Sequence, residues 1–324
     1  MTVSHILGYP RIGAQRELKK ITEAYWRGDA TREALESTAQ ALRLHHWQIQ
    51  QAAGLDMVSV GDFAFYDQVL NVSAMLGAVP ERFDAADEVS HGRVDLDTAF
   101  RMARGRAPSG KPAAACEMTK YFDTNYHYLV PELHQGQRFT LASERLFDEV
   151  DEALQAGFTP KVTLVGPLTW LWLGKTKGSR FDRLTLLDSV LDVYSDILAR
   201  LATQGVEWVQ LDEPALVQDL PVAWQQAYER AYHRLQAAPS KLLLATYFGA
   251  LGDNLALTTR LPVAGLHIDA VRAPEQVESV IDRLSPHQIL SLGLVDGRNV
   301  WRADLAALRE RLLPIKVRLG RRLW

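Results

Sequence analysis

The stretch from Leu7 to Lys20, LGYPRIGAQRELKK, gathers cations where a helix is predicted to begin. An apolar run ends at Gly8 and Pro10, and apolar residues then recur at spacings of three and four, which predicts a helix from about Gln15. A helix N-terminus carries unpaired N–H groups and the positive end of the dipole, so cations there are unfavourable. A bound anion would compensate for them, whereas the alternative is a solvated basic loop. The cations concerned are Arg11, Arg16, Lys19 and Lys20, opposed by Glu17.

A second polar group lies in KYFDTNYHYLVPE, which begins at Lys120. Four aromatic side chains there surround Asn125 and His127. Aromatic faces together with an amide and a lysine could hold a planar, anionic ligand. The alternative is an aromatic-rich loop that packs on the rim of a barrel.

Carboxylates and histidines also follow predicted strands. Asp212 and Glu213 are adjacent in LDEPAL, and adjacent strand residues point to opposite sides, so they should not form an acid/base pair. Glu213 alone leaves a glycosidase-like hydrolase as an alternative. His267 and Asp269 share one side of their strand and could suggest a metal with Glu213, although a single strand histidine is more often a hydrogen-bonded core residue. Cys116 is interpreted as a small apolar filler.

The elements that must position these residues alternate between strand-like and helical patterns along the chain. Most of the strand-like runs are continuously apolar, as expected of parallel strands covered on both faces. No strand–GxGxxG–helix signature favours the alternative, a doubly wound open sheet. We therefore predict an α/β fold, a (β/α)₈ TIM barrel, in which functional groups follow the C-terminal ends of the strands. The eight predicted strands are Val3–Gly8, Asp56–Asp62, Ala113–Lys120, Lys161–Pro167, Trp208–Pro214, Leu242–Phe248, Gly265–Val271 and Gln288–Asp296.

The predicted helices fill the connections between these strands. The first connection, from Gly8 to Leu55, is extended and has room for the basic loop and two helices. The second, from Phe63 to Pro112, reads as a loop with a short helix. Helical periodicity is clearest in Thr31–Ala53, Phe139–Ala156, Arg180–Gln204, Val222–Gln236, Pro274–Leu284 and Arg302–Leu313.

Composition narrows the classes of partner. The 324 residues are 47% hydrophobic, which suffices for one barrel-sized core. A net charge of −3 argues against a general nucleic-acid or membrane-surface protein. A single cysteine excludes a disulfide within the chain and a multi-cysteine zinc site. The N-terminus has no signal-peptide pattern and no run has transmembrane length, so we expect a reducing, cytoplasmic location.

Eight long motifs, in order along essentially the whole chain, resemble the N-terminal half of cobalamin-independent methionine synthase. The resemblance implies that residues 1–324 form a single (β/α)₈ barrel, the N-terminal domain of a two-barrel enzyme. The motifs are LGYPRIGAQRELKK, VGDFAFYDQVL, EMTKYFDTNYHYLVPE, GPLTWLWLGK, WVQLDEPAL, LLLATYFG, GLHIDAVRAPE and SLGLVDGRNVWRADL.

The resemblance also implies an activity. Enzymes of that family transfer a methyl group from 5-methyltetrahydropteroyltri-glutamate to homocysteine, using two similar barrels placed face to face. Their zinc, held by a histidine, a glutamate and two cysteines, belongs to the C-terminal barrel, which is absent from this sequence. We therefore expect neither a metal nor a catalytic residue in this chain, and we expect the C-terminal barrel as its protein partner.

The family's folate-binding positions fall on the same basic loop. The isolated chain is expected to bind the polyglutamate tail of the folate weakly and not to turn over. Two alternatives stay open: an autonomous folate-polyglutamate-binding module, or a barrel hydrolase that uses Glu213. The positions implied by the resemblance are Arg16, Glu17, Leu18, Lys19 and Lys120, with Asn125 as an addition.

Overall fold

The computed structural model describes residues 3–83 and 93–324, and its centre is a parallel β-sheet. Six strands form this sheet in the order β1-β5-β7-β8-β9-β10, and every neighbouring pair is parallel. The described strands are β1 (Val58–Val60), β2 (Met118–Lys120), β3 (His127–Leu129), β4 (Glu132–Leu133), β5 (Pro160–Val165), β6 (Lys175–Thr176), β7 (Trp208–Asp212), β8 (Lys241–Ala245), β9 (Gly265–Asp269) and β10 (Ile289–Gly293).

The connections carry eleven α-helices within the described ranges. The extended first connection holds two of them, as predicted. Helices pack on the outer face of the sheet, and every residue of β5 is buried, which explains its nearly continuous apolar sequence. The helices are α1 (Glu17–Arg27), α2 (Arg32–Ala52), α3 (Gln68–Met75), α4 (Leu96–Arg104), α5 (Arg145–Gln155), α6 (Pro167–Leu173), α7 (Leu187–Thr203), α8 (Val222–Leu235), α9 (Leu255–Arg260), α10 (Gln276–Arg283) and α11 (Leu305–Leu319).

The first predicted strand, Val3–Gly8, does not join the sheet ladder. It lies between the two edges of the sheet and contacts both. The Ser4 carbonyl accepts a hydrogen bond from Asp56 N, beside β1, at 3.0 Å, and His5 Nε2 lies 2.8 Å from Ser291 Oγ on β10. The segment thus occupies the place of a barrel's first strand without its regular pairing.

Side chains replace the missing ladder bonds of this segment. The Leu7 carbonyl accepts hydrogen bonds from Thr163 Oγ1 at 3.3 Å and from Gln210 Nε2 at 3.1 Å, both on the inner face of the sheet. Because these donors satisfy the backbone, the segment need not pair with a strand edge.

The third predicted strand, Ala113–Lys120, is the second difference. Only its last three residues are extended, and they pair antiparallel with β3 in a hairpin outside the main sheet. In the main sheet β1 therefore pairs directly with β5. The α/β, TIM-barrel-like class is confirmed, with six of the eight predicted strands in the curled sheet.

The chain's last residues lie against the sheet edge opposite β1. Leu323 bridges Leu290 of β10 in parallel, and the Trp324 ring lies 4.4 Å from that of Trp208, centroid to centroid. Predicted helix Arg302–Leu313 begins slightly later and continues through Pro314 to Leu319. None of the described helices is both long enough and apolar enough to cross a membrane.

Candidate anion-binding site

The N-terminal arm, defined as residues 8–20, is anchored by a core leucine. Leu18 is 2% exposed and packs in an apolar cluster with Tyr25, Leu35 and Phe100, and its N–H donates to Ile12 O at 3.2 Å. Leu18, one of the predicted ligand positions, thus anchors the arm through its side chain. Because this side chain is apolar, it cannot bind an anion itself.

Arg16 and Lys19 are on the exposed side of the same turn. Arg16 precedes α1 with a left-handed backbone (φ 62°), which is uncommon for a side chain of this size. Lys19 lies 3.7 Å from Glu23, with 52% and 44% of the two side chains exposed, so solvent screens this pair. Arg16 and Lys20 form no salt bridge with any residue in the described ranges, and both are exposed.

Glu17 supplies the acid that the helix start needs. Its carboxylate accepts a hydrogen bond from Gln15 N at 2.9 Å. Hydrogen bonds from its own N–H and that of Gln15 hold the pKa of Glu17 below its usual value. The first turn of α1 therefore has one internal counter-charge, and the surplus of positive charge on the arm remains exposed.

The hairpin, defined as residues 118–129, separates buried tyrosines from exposed polar groups. Tyr121 and Tyr128 are buried, so the packing interpretation holds for them. Lys120 pairs with His127 across the two strands, and Asn125 lies in the turn. Lys120 and Asn125 are both exposed, as a ligand contact requires.

Two sets of contacts fix the hairpin over the C-terminal ends of the strands. The Tyr121 hydroxyl lies 3.2 Å from that of Tyr247, which donates to Asp212 Oδ2 at 3.1 Å. At the tip, Arg272 Nη1 lies 2.8 Å from Asp123 Oδ2, and Arg298 Nη2 donates to the Asp123 carbonyl at 2.8 Å. The hairpin is thus tied to the loops that follow β8, β9 and β10.

The arm reaches the same end of the sheet. Tyr9 N donates to Asp62 Oδ2, after β1, at 2.5 Å. Arg11 donates to the Tyr66 carbonyl at 2.5 Å, and its guanidinium carbon lies 5.7 Å from the centre of the Tyr126 ring on the hairpin. The structure therefore brings together the arm that carries Arg16 and Lys19 and the hairpin that carries Lys120 and Asn125.

A family model described as the cobalamin-independent synthase N-terminal domain matches residues 3–320. The chain belongs to this family.

Solved structures agree in fold with this synthase domain. A putative vitamin B12-independent methionine synthase from Listeria monocytogenes has a TM-score of 0.64 at 15% identity, over 100% of this chain and 90% of that one. A B12-independent methionine synthase from Shewanella sp. W3-18-1, solved with selenomethionine, has a TM-score of 0.62 at 15% identity, over 91% and 82%. A methyltransferase from Methanosarcina mazei has a TM-score of 0.57 at 10% identity, over 99% and 86%. At these identities the likeness concerns the fold.

Glu213 of this synthase domain has an identifiable structural role. It is fully buried beside the N-terminus of α6, where Oε1 accepts from Leu168 N at 3.2 Å and Oε2 from Thr169 N at 2.7 Å. Tyr228 and Tyr232 donate their hydroxyls to the same carboxylate at 2.8 and 3.2 Å. Burial raises the pKa of Glu213 to about 7, against these donors. A carboxylate enclosed in this way cannot reach a substrate, which argues against the hydrolase alternative.

Beneath the hairpin, the inner face of the sheet carries a polar layer around Asp212, and two of its members, Lys161 and Gln210, were not predicted as such. Lys161 is fully buried and its Nζ bonds to Gln210 Oε1. Gln210 in turn donates to Asp212 Oδ1 at 2.7 Å. Burial lowers the pKa of Lys161 and raises that of Asp212. The signal that could have revealed this layer is a lysine at the start of an otherwise apolar strand.

His267 and Asp269 act separately, although they share a side of β9. His267 Nδ1 lies 2.7 Å from Ser291 Oγ, and burial lowers the pKa of His267 to about 3. Asp269 caps the next loop by accepting N–H groups from Val271 and Arg272 at 3.0 and 2.9 Å. Within residues 3–83 and 93–324, no three histidine, cysteine or acidic side chains converge as metal ligands would.

The single thiol also does not suit a zinc site. Cys116 is buried 3.5 Å from Arg82 Nη2, and Arg82 itself forms a two-pronged pair with Glu132 at 2.7 Å. Burial raises the pKa of Cys116 to about 12. The zinc set that the resemblance implies has two cysteines, which one buried thiol cannot supply.

A cavity of about 770 Å³ lies among α2, α3 and α5, beside the ends of β1 and β5. Several of its charged lining residues are already paired. Arg43 bonds to Glu152 at 2.8–2.9 Å, and Arg145 lies 3.3 Å from Glu149. We therefore locate the candidate site on the arm and the hairpin.

Proposed function

We propose that this chain is the folate-binding half of a cobalamin-independent methionine synthase, a methyltransferase that forms methionine from homocysteine. The observation that carries the proposal is the meeting of the exposed basic arm with the hairpin that displays Lys120 and Asn125, at the C-terminal ends of the strands. Family membership supports the enzyme class, and the residues implied by the resemblance lie on these two segments.

The chemistry of a polyglutamate tail suits this surface. Each γ-linked glutamate adds a carboxylate to an extended, flexible chain. Arg16, Lys19 and Lys120 offer charge-assisted hydrogen bonds to such carboxylates, and the Asn125 amide offers neutral ones. Glu17 and Leu18 hold the turn that displays the cations. The methylated pterin and homocysteine would then react against the partner barrel, because no set of zinc ligands converges among residues 3–83 and 93–324.

Zinc, in this proposal, is held by the C-terminal barrel, and the complete enzyme works in the cytoplasm. This chain positions the methyl donor: it binds the polyglutamate tail so that the methylated folate stays beside homocysteine. Proximity of this kind accelerates a two-substrate reaction without any catalytic side chain on the holding domain.

Calorimetric titration with tetrahydrofolate triglutamate and with the monoglutamate tests the tail-binding role. We expect the triglutamate to bind more tightly, and we expect added salt to weaken this preference because the contacts are ionic and exposed. Lys19→Ala and Lys120→Ala should each weaken triglutamate binding about five- to tenfold, while Lys316→Ala, which removes a lysine of α11, should not. Equal binding of the two ligands by the unaltered chain would contradict the proposal.

Mixing the chain with a zinc-bearing C-terminal barrel separates the two remaining alternatives. An enzyme half predicts methyl transfer that needs both polypeptides, with none from this chain alone. An autonomous binding module predicts triglutamate binding but no effect on turnover by the second barrel. The measurement is methionine formed from homocysteine and the methylated triglutamate, with Lys120→Ala as a variant that should lower the rate at subsaturating folate.

A further inference from the structure

We propose that Arg11 is a further anion-binding residue, which holds a carboxylate of the polyglutamate tail between the arm and the hairpin. This inference rests on the function proposed above and extends its site. Arg11 belongs to the arm, and its guanidinium contacts the hairpin at Tyr126.

Two contacts hold the guanidinium of Arg11 in place. One Nη2–H donates to the Tyr66 carbonyl at 2.5 Å, and the guanidinium carbon lies 5.7 Å from the centre of the Tyr126 ring. The bond to Tyr66 uses one of the five N–H groups that an arginine carries. A guanidinium fixed in this way loses little side-chain entropy when it binds a carboxylate.

The carboxylate of Asp67, which lies near Arg11, accepts hydrogen bonds from backbone N–H groups and forms no salt bridge with the guanidinium. Asp67 is the nearby acid whose pKa Arg11 lowers, while burial raises that pKa to about 6. Its oxygens accept N–H groups from Leu70 and Leu129 at 2.8 and 3.0 Å, and it caps the start of α3. Within the described ranges Arg11 forms no salt bridge, so its charge is available to a ligand.

The position of Arg11 connects the proposed ligand residues. It lies five residues before Arg16 on the arm. On the hairpin, the Tyr126 carbonyl binds Tyr121 N at 2.7 Å, directly after Lys120. Arg11 therefore belongs to the arm and contacts the hairpin, and in this proposal it holds one carboxylate of the three-glutamate tail. A monoglutamate lacks the additional carboxylates of the longer tail, so Arg11 should contribute to the preference for tail length.

The test is the ratio of triglutamate to monoglutamate affinity, measured by calorimetry on the whole chain. Arg11→Lys keeps the charge but removes the planar, two-pronged donor and its stacking on Tyr126. We expect this variant to reduce the ratio about fivefold with little change in monoglutamate affinity. Arg200→Lys is the matched control, because Arg200 also stacks on a ring, that of Phe147 at 3.8 Å, but lies on α7. It should leave the ratio unchanged.

The outcomes distinguish this inference from the function on which it rests. If Lys19→Ala and Lys120→Ala reduce the ratio and Arg11→Lys does not, Arg11 is not a tail ligand and the proposed function stands. An equal loss of both ligands in Arg11→Lys would show a structural role and would also overturn the inference. If no variant changes the ratio, both proposals fail.

Discussion

Replacing Glu213 by alanine should destabilise the folded chain by about 4 kcal/mol, one of the larger losses that a single substitution causes. The side chain is fully buried, and its carboxylate receives two backbone N–H groups at the start of α6 and two tyrosine hydroxyls. Alanine would leave these four donors without a partner in a dry interior, each at a cost of about 1–3 kcal/mol before relaxation or water entry. Urea unfolding at neutral pH measures the effect.

Two further variants make this prediction specific. Glu213→Gln keeps the volume but turns an NH₂ group toward donors, so it should cost about half as much as alanine. Glu229→Ala removes a glutamate from the exposed side of α8, where the pair with Arg260 is 3.7 Å long and both side chains are at least half exposed. That control should change stability by less than about 0.5 kcal/mol. A loss below about 1 kcal/mol for Glu213→Ala would show that the carboxylate does not organise this junction.

The role of Glu213 also explains a glycine. A Cβ at Gly166, which precedes α6, would collide with the Glu213 carboxylate. The carboxylate thus approaches the backbone closely enough to bond the first N–H groups of the helix. GPLTWLWLGK and LDEPAL, which are distant in sequence, form one junction between β5 and β7.

Much of the fold could be predicted because the spacing of apolar residues along the sequence indicates which side chains are buried. The extended first connection with its two helices, six parallel strands and helices such as Val222–Leu235 follow from apolar spacing alone. The path of Val3–Gly8 could not be predicted in this way. Its apolar residues are as consistent with a strand as with a segment bonded by side chains from Thr163 and Gln210, which only the folded sheet brings near.

The hairpin shows a second limit of the same method. Predicted strand Ala113–Lys120 looks like its parallel neighbours in composition, but Met118 and Lys120 are exposed in a two-stranded ribbon. Composition does not reveal whether a strand pairs with the sheet or with the segment that follows it. The turn at 121–126 that joins the two strands is held by contacts with Arg272 and Arg298, far along the chain.

The candidate site was predictable to a similar degree. The surplus of charge on Arg16 and Lys19 was visible in the sequence, as was the lysine and amide pair of Lys120 and Asn125. Their meeting through Arg11 and Tyr126 was not, because a contact over more than a hundred residues leaves no local pattern. Lys161 was overlooked, since one lysine in an apolar run looks like the end of a strand.

These buried polar groups lie near two histidines inside the sheet. Lys161 lies close enough to His267 and His5 to oppose their protonation, and both histidines contact the same serine, Ser291. One hydroxyl can donate to only one ring nitrogen, so the other ring must donate to it. The ring that accepts from Ser291 must be neutral at that nitrogen, and burial lowers the pKa of both histidines, so stability should depend on their remaining neutral.

His267→Asn should consequently lose its destabilising effect as the pH falls. Burial, with a smaller contribution from Lys161, lowers the pKa of His267 to about 3, whereas an unfolded histidine titrates near 6.5. Between these values the unfolded chain binds a proton that the folded chain does not, so the native protein loses stability as the pH decreases. For this one group the loss is about 1.4 kcal/mol per pH unit below 6.5, or about 2 kcal/mol between pH 7 and pH 5.

The substitution removes that proton-linked loss. Asparagine places a polar atom near the former Nδ1, so it can keep a contact with Ser291. Its side chain is smaller than the imidazole and leaves a space in the core, so at pH 7 the variant should be less stable than the unaltered chain. At pH 5 the difference in unfolding free energy should be about 2 kcal/mol smaller. The raised pKa values of buried carboxyl groups, such as that of Asp212, affect the variant and the unaltered chain alike, so they largely cancel in the difference between the two unfolding free energies.

His287→Asn, at an exposed position, is the control, and its difference in unfolding free energy from the unaltered chain should be the same at both pH values. A pH-independent difference for His267→Asn would mean that the ring is protonated in the native state and that the polar layer is held by charge instead of by neutral hydrogen bonds.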